Sequence, residues 1–143
     1  MNQNDWLNIL GLTTPSEAPK PSGISFKDRR FSEPALFAFH LPVLFDSGLY
    51  AILVPDINSS PRQFRVVYFG ETGELSKRVT SSHEKYPDWV REAGTASRLY
   101  VAFHGMIGTQ QARQAVESDL ISHYQPACNI IFNDSTMLRA FGL

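Results

Sequence analysis

A chain of 143 residues has room for one domain with a real core and a short appendage. Its 43% hydrophobic and 19% charged content excludes a disordered chain, and no apolar run approaches the ~20 residues that cross a bilayer. With 13 basic against 14 acidic side chains it is also not built for strong non-specific binding to polyanions, which draws most of its affinity from lysine and arginine neutralising phosphates. Any nucleic-acid contact then has to be local, brief or assisted by a partner.

The opening Met1-Asn-Gln-Asn-Asp has neither the basic flank nor the apolar stretch of a secretory signal. Cys128 is the single cysteine, so no internal disulfide forms, and its surroundings suit a buried thiol better than a nucleophile. A cytoplasmic protein is expected. Asp5 is placed to cap a short helix over Trp6 to Leu10, closed by Gly11. Pro15, Pro19, Pro21, Ser22 and Gly23 then form a linker. Lys27, Arg29 and Arg30 are the only dense basic cluster; they read as a solvated loop or as an arm that contacts phosphates. From Pro34 to Phe45, apolar residues with two prolines suggest an edge strand or irregular cover for a sheet, with His40 a half-buried structural residue.

Leu49 to Val54 is the longest apolar run and has the length of a buried strand. Turn formers Asn58, Ser59, Ser60 and Pro61 separate it from Phe64 to Phe69, so an antiparallel hairpin is expected. A helix beginning at Thr72 or Gly73 carries Leu75 and Val79 on its core side. A second, from Tyr86 to Glu92, turns Trp89 and Val90 inward and ends at Gly94. Leu99 to Phe103 is a third strand. Thr109 caps a helix with Ala112, Val116, Leu120 and Tyr124 on one stripe, stopped by Gln125-Pro126. The order β-β-α-α-β-α predicts an α+β domain: a small antiparallel three-stranded sheet flanked by helices. The expected divisions are an N-terminal extension over 1–45, the domain over 46–132, and a tail over 133–143.

Several side chains on this frame are candidates for chemistry. Arg78 borders the apolar stripe of its helix, where its stem snorkels to solvent or its fork receives a phosphate. Glu117 lies on the edge of the last helix's buried face. It either pairs with Arg113 one turn earlier or ligates a hard cation such as Mg²⁺, which commonly takes one or two protein carboxylates. Tyr50 and Tyr68 are ordinary strand aromatics unless their hydroxyls converge beside the helix that follows, where Gly70 and Gly73 leave room for a phosphate. Asn129 by itself reads as a turn cap. His83 and His104 lack metal-ligand spacing, and neither a phosphate-binding loop of the Walker type nor a dinucleotide fingerprint is present.

Taken together, Gly48-Leu49-Tyr50, Tyr68-Phe69-Gly70, Arg78 ten positions after the second tyrosine, Glu117 in a later helix and Asn129 twelve positions beyond it resemble the GIY-YIG endonuclease family. The resemblance covers roughly residues 46 to 132. It departs from the family at Glu71, where many members carry lysine. It departs again at Ser82, where several carry histidine or tyrosine; His83 and Tyr86 are the accessory candidates nearby.

The resemblance implies a metal-dependent endonuclease that hydrolyses phosphodiesters in DNA, with RNA as a further substrate class. Tyr68, with Tyr50, would activate water, and Arg78 would hold the scissile phosphate. Glu117 would bind Mg²⁺ or Mn²⁺, and Asn129 would orient Glu117 or a metal-bound water. Lys27, Arg29, Arg30 and Lys77 would add nucleic-acid contacts, and a protein partner or a homo-oligomer would supply further DNA affinity. The alternative is a non-catalytic GIY-YIG-like module that binds nucleic acid or protein, favoured by Glu71 and by the lack of net positive charge.

Overall fold

The computed structural model describes residues 23–40 and 45–130. The expected helix over Trp6 to Leu10, most of the proline-rich linker and the C-terminal tail lie outside the described residues. The centre of the fold is a four-stranded antiparallel sheet in the order β3-β6-β4-β5. Its strands are β3 (Ala35–Leu36), β4 (Gly48–Pro55), β5 (Phe64–Thr72) and β6 (Tyr100–Gly105). A separate hairpin of β1 (Ile24–Phe26) and β2 (Arg29–Phe31) precedes them. The helices are α1 (Leu75–Arg78), α2 (Tyr86–Ala93) and α3 (Gln110–Tyr124). The chain is therefore α+β with antiparallel sheets, as expected.

β4 is the central strand, and its sequence says why. Gly48 through Val54 is buried at every position, because both faces of the sheet are covered. Tyr50, Ile52 and Val54 face α1 and α2, in a core with Leu75, Val79, Trp89, Val101 and Phe103. Leu49, Ala51 and Leu53 face the other way, against Phe69, Ala102, Val116 and Leu120, with Ile24, Phe26 and Phe31 of the hairpin closing that layer. An apolar run without alternation follows from this two-sided burial.

The pairing of β4 with β5 fixes the two tyrosines. Tyr50 stands opposite Gly70 and Ile52 opposite Tyr68, with a register shift between Ile52 and Leu53 that leaves Val67 as the extra residue on β5. Directly opposed residues share a face, so Tyr50 and Tyr68 lie on the α1/α2 side. The bulge brings Val67 to that face as well, where it joins the same core.

Two expectations need correction. The sheet has four strands where three were expected; the fourth is a two-residue edge formed by Ala35–Leu36 on β6, within the Pro34–Phe45 segment for which an edge strand was one of the two readings. The basic cluster is exposed as expected, but it is a hairpin and not a loop. Lys27 and Asp28 form a two-residue turn between β1 and β2, with Lys27 at φ 52°. The Lys27 amide donates to the Tyr124 hydroxyl at 2.8 Å, and its ammonium pairs with Asp119 at 3.0 Å. Phe26 packs edge-on to Phe31, Phe69 and Tyr124, and these long-range contacts hold the hairpin. The helices follow their sequence signals more closely. Thr109 accepts from the Ala112 amide at 3.1 Å, and Gln125 closes α3 in the left-handed region at φ 48°.

Candidate active site

Two glycines decide how closely the elements approach. A Cβ on Gly48 would stand 2.2 Å from the main-chain oxygen of His104 on β6, and one on Gly70 would stand 2.2 Å from Cζ of Tyr50. Gly70 therefore makes the slot in which the Tyr50 ring lies flat over β5. That ring is 1% exposed.

Around the Tyr50 hydroxyl the structure assembles His83, Arg78 and Tyr68. His83 Nε2 lies 2.9 Å from the hydroxyl, and its Nδ1 accepts from the Lys85 amide at 3.0 Å. An Nδ1 used as acceptor leaves the proton of the neutral ring on Nε2, so His83 donates to Tyr50. Burial, with Arg78 beside it, lowers the His83 pKa to about 4, so the ring is neutral at physiological pH. The Arg78 guanidinium and the Tyr68 ring also lie beside Tyr50, the centroids of the two tyrosine rings 5.9 Å apart. Burial pushes the pKa of both phenols up, Tyr68 further feeling the charges of Glu117 and Glu84 against that of Arg78. Both tyrosines are thus held as phenols.

Helix α1 ends at Arg78, which lets the chain turn and bring His83 back under Tyr50. Arg78 itself is engaged by Glu84, a residue the sequence reading had not singled out. Nη1 donates to Oε2 at 2.6 Å and Nη2 to Oε1. This pairing raises the Arg78 pKa and holds the Glu84 carboxyl down at about 2.

Glu117 sits half-buried on α3, where that helix packs on β5. It does not pair with Arg113. The Arg113 guanidinium reaches Glu71 instead, Nε to Oε2 at 3.0 Å, with both side chains only 10% exposed. Glu71, the residue most at odds with a phosphate nearby, is in this way neutralised. Among the described residues Glu117 pairs with no cation; burial, and then the charge of Glu71, raise its pKa to about 7.

Asn129 is placed differently from the expectation. Its side-chain oxygen accepts from the Phe69 amide at 2.7 Å and its nitrogen donates to the Phe69 carbonyl at 2.8 Å. The amide thus extends the sheet by one peptide's worth of pairing along the open edge of β5, and neither of these bonds reaches Glu117. It is not a turn cap either. Asn129 thus covers a peptide of this edge at Phe69.

The accessory candidates divide. His83 is in the cluster, whereas Tyr86 packs on Phe37 and Trp89 at its margin. Lys77 pairs with Glu74 at 3.4 Å, and Arg30 donates to Ser25 on the neighbouring strand at 3.2 Å. Arg29 is exposed on β2. Cys128 is buried, which raises its thiol pKa to about 11. A cavity of about 660 Å³ lies at the far end of the β4–β5 hairpin, lined by Pro55, Arg62, Arg65, Arg98 and Tyr100, and shares no residue with the tyrosine cluster.

Among the described residues no group of three His, Cys, Asp or Glu side chains converges on one point. What Glu117 offers a cation is a single carboxylate whose charge is otherwise uncompensated, which suits a hard ion that keeps most of its waters. Comparisons with protein-family models, with curated proteins and with solved structures find no match to this chain.

Proposed function

We propose that the chain is a phosphodiester hydrolase of the GIY-YIG type, acting on DNA with Mg²⁺ or Mn²⁺ held by Glu117. The observation that carries this reading is the state of Glu117. It is half-buried, left without a cation because Arg113 is spent on Glu71, and close enough to Tyr68 for its charge to be felt there. A bound divalent ion supplies a Lewis acid for the phosphoryl oxygen at that carboxylate.

The chain's own residues supply the remainder. Arg78 holds two oxygens of the phosphate with its planar fork and offsets charge that develops on them. His83, fixed by the Lys85 amide, keeps the Tyr50 hydroxyl oriented. Tyr68, partly buried beside it, accepts a hydrogen bond from the attacking water and orients it, and the proton that water loses passes to solvent. Both phenols are held protonated by burial, so they position the water and do not act as a standing phenolate base.

Glu117→Gln is the sharpest variant, because it keeps the size of the side chain and removes only the charge. Incubated with supercoiled and linear DNA in Mg²⁺ or Mn²⁺, folded wild type should nick or cut, while Glu117→Gln and Arg78→Gln should lose at least about a hundredfold, the scale of one lost transition-state contact. Folded wild type that leaves every DNA and RNA intact in both metals would overturn the reading. The contact between Arg78 and Glu84 favours one other reading, a non-catalytic module in which the arginine is permanently closed. Salt-dependent DNA binding without cleavage would support it.

A further inference from the structure

The fork of Arg78 already holds an anion. Two guanidinium nitrogens face the two carboxylate oxygens of Glu84, one of them at 2.6 Å. The same parallel pair of donors fits two non-bridging oxygens of a phosphate, since carboxylate and phosphate present oxygens at similar spacing to a guanidinium. The arginine is the less exposed partner of the pair, its side chain 39% exposed against 60% for Glu84.

Glu84 is held far less firmly. It belongs to the connection between α1 and α2, and its side chain is 60% exposed. Beyond Arg78, its neighbours are its own backbone amide and Nδ1 of the neutral His83, 3.6 Å away. Turning its side chain out to solvent disturbs no packed residue. Glu84 is therefore the more readily replaced partner of the pair.

We propose that Glu84 is an internal stand-in for a phosphate-type oxyanion, seated in the Arg78 fork and displaced when a ligand phosphate arrives. Calling that ligand a phosphodiester rests on the hydrolase reading above; the seat itself follows from the Arg78–Glu84 geometry alone. Such a stand-in keeps the arginine pre-aimed in the unliganded protein. It also discriminates among anions, because a ligand has to bring two suitably spaced oxygens, or additional contacts, to win over an intramolecular carboxylate.

The test is a titration of the full-length chain with inorganic phosphate, followed by the side-chain Nε–H resonance of Arg78. Three proteins are compared: wild type, Glu84→Gln and the doubly substituted Arg78→Gln/Glu84→Gln. Glu84→Gln should bind phosphate roughly two- to fivefold more tightly than wild type, the range for losing one exposed competing ion pair. The doubly substituted protein should show no saturable binding by calorimetry. Glu84→Ala repeats the comparison without a residual amide donor or acceptor at the seat. Equal or weaker phosphate binding by both Glu84 variants, or no binding by any of the proteins, overturns the proposal. DNA cleavage measured on the same samples separates the two readings. Tighter phosphate binding with no cleavage by any protein keeps the seat and removes the hydrolase, whereas cleavage with phosphate binding indifferent to Glu84 does the reverse.

Discussion

Burial holds His83 neutral down to about pH 4, whereas an imidazole in the unfolded chain titrates near 6.5. Between those values the unfolded chain binds the proton and the folded one does not, so stability contributed by His83 is complete above about 6.5 and falls as the pH drops. Glu117 has the opposite sign. Its folded pKa of about 7 lies above the ordinary glutamate value of 4.5, so the folded chain is the one that binds the proton, and stability falls as the pH rises through that interval. From pH 5 to 6.5 each group is worth up to about 2 kcal/mol, in opposite directions. Glu33 and Glu84 titrate near 2 when folded and contribute little to the slope there. Urea midpoints of the wild type should therefore change little across this window. In His83→Gln the midpoint should fall as the pH rises, and in Glu117→Gln it should climb. A wild-type curve as steep as either variant's, or two variants sloping the same way, would show that one of the two buried groups is wrongly described.

At the scale of elements, the two glycines that flank Leu49 and Phe69 tie strand pairing to the site. Gly48→Ala drives a methyl into the His104 carbonyl, a main-chain atom that cannot step aside, and Gly70→Ala drives one into the Tyr50 ring. Each should cost about 1–3 kcal/mol. Only the second should couple to position 50: in a double-mutant cycle with Tyr50→Ala, part of the Gly70→Ala cost should vanish, and the Gly48→Ala cost should add independently. The edge of β5 makes a companion case. Asn129→Ala leaves the Phe69 amide and carbonyl without their shared partner, a loss of about 1–3 kcal/mol that should also speed hydrogen exchange at Phe69.

These elements also show what could be read in the residues. The apolar run Leu49–Val54, the four-residue steps of α3 and the Thr109 cap are local signals, and they mark the strand and helix correctly. The β1–β2 hairpin was not legible because Lys27-Asp28 lacks the glycine or asparagine of a favoured turn, and its strands are held by Phe69 and Tyr124 far along the chain. Nor could local spacing have revealed that Arg113 chooses Glu71, 42 positions away, over Glu117 one turn along its own helix. The i,i+4 rule describes an isolated helix, and the buried face beside β5 overrides it. Glu84 was missed for the same reason: its partner is set by the turn after α1, where periodicity says nothing.

For the molecule as a whole, the decisive property is how its cations are spent. Lys27 pairs with Asp119, Arg62 with Glu33, Arg65 with Glu92, Arg91 with Asp88, Arg113 with Glu71 and Lys77 with Glu74. Among the described residues these cations are spent in local pairs. Long-range steering towards a polyanion by those residues is correspondingly weak. Under the proposed function, the described cations that would meet a duplex include Arg78, once Glu84 yields, and Arg29 on the exposed side of β2. If about one to three phosphates are neutralised, the logarithm of the binding constant should fall with the logarithm of salt at a slope between roughly −1 and −3. Binding of the whole chain to a duplex of mixed sequence, followed by fluorescence anisotropy from low to moderate salt, measures that slope directly. Arg78→Gln should flatten it by about one, because a single cation contributes about one released counterion. A slope of about −5 or steeper would mean that the chain engages the backbone through a basic surface these paired side chains do not provide.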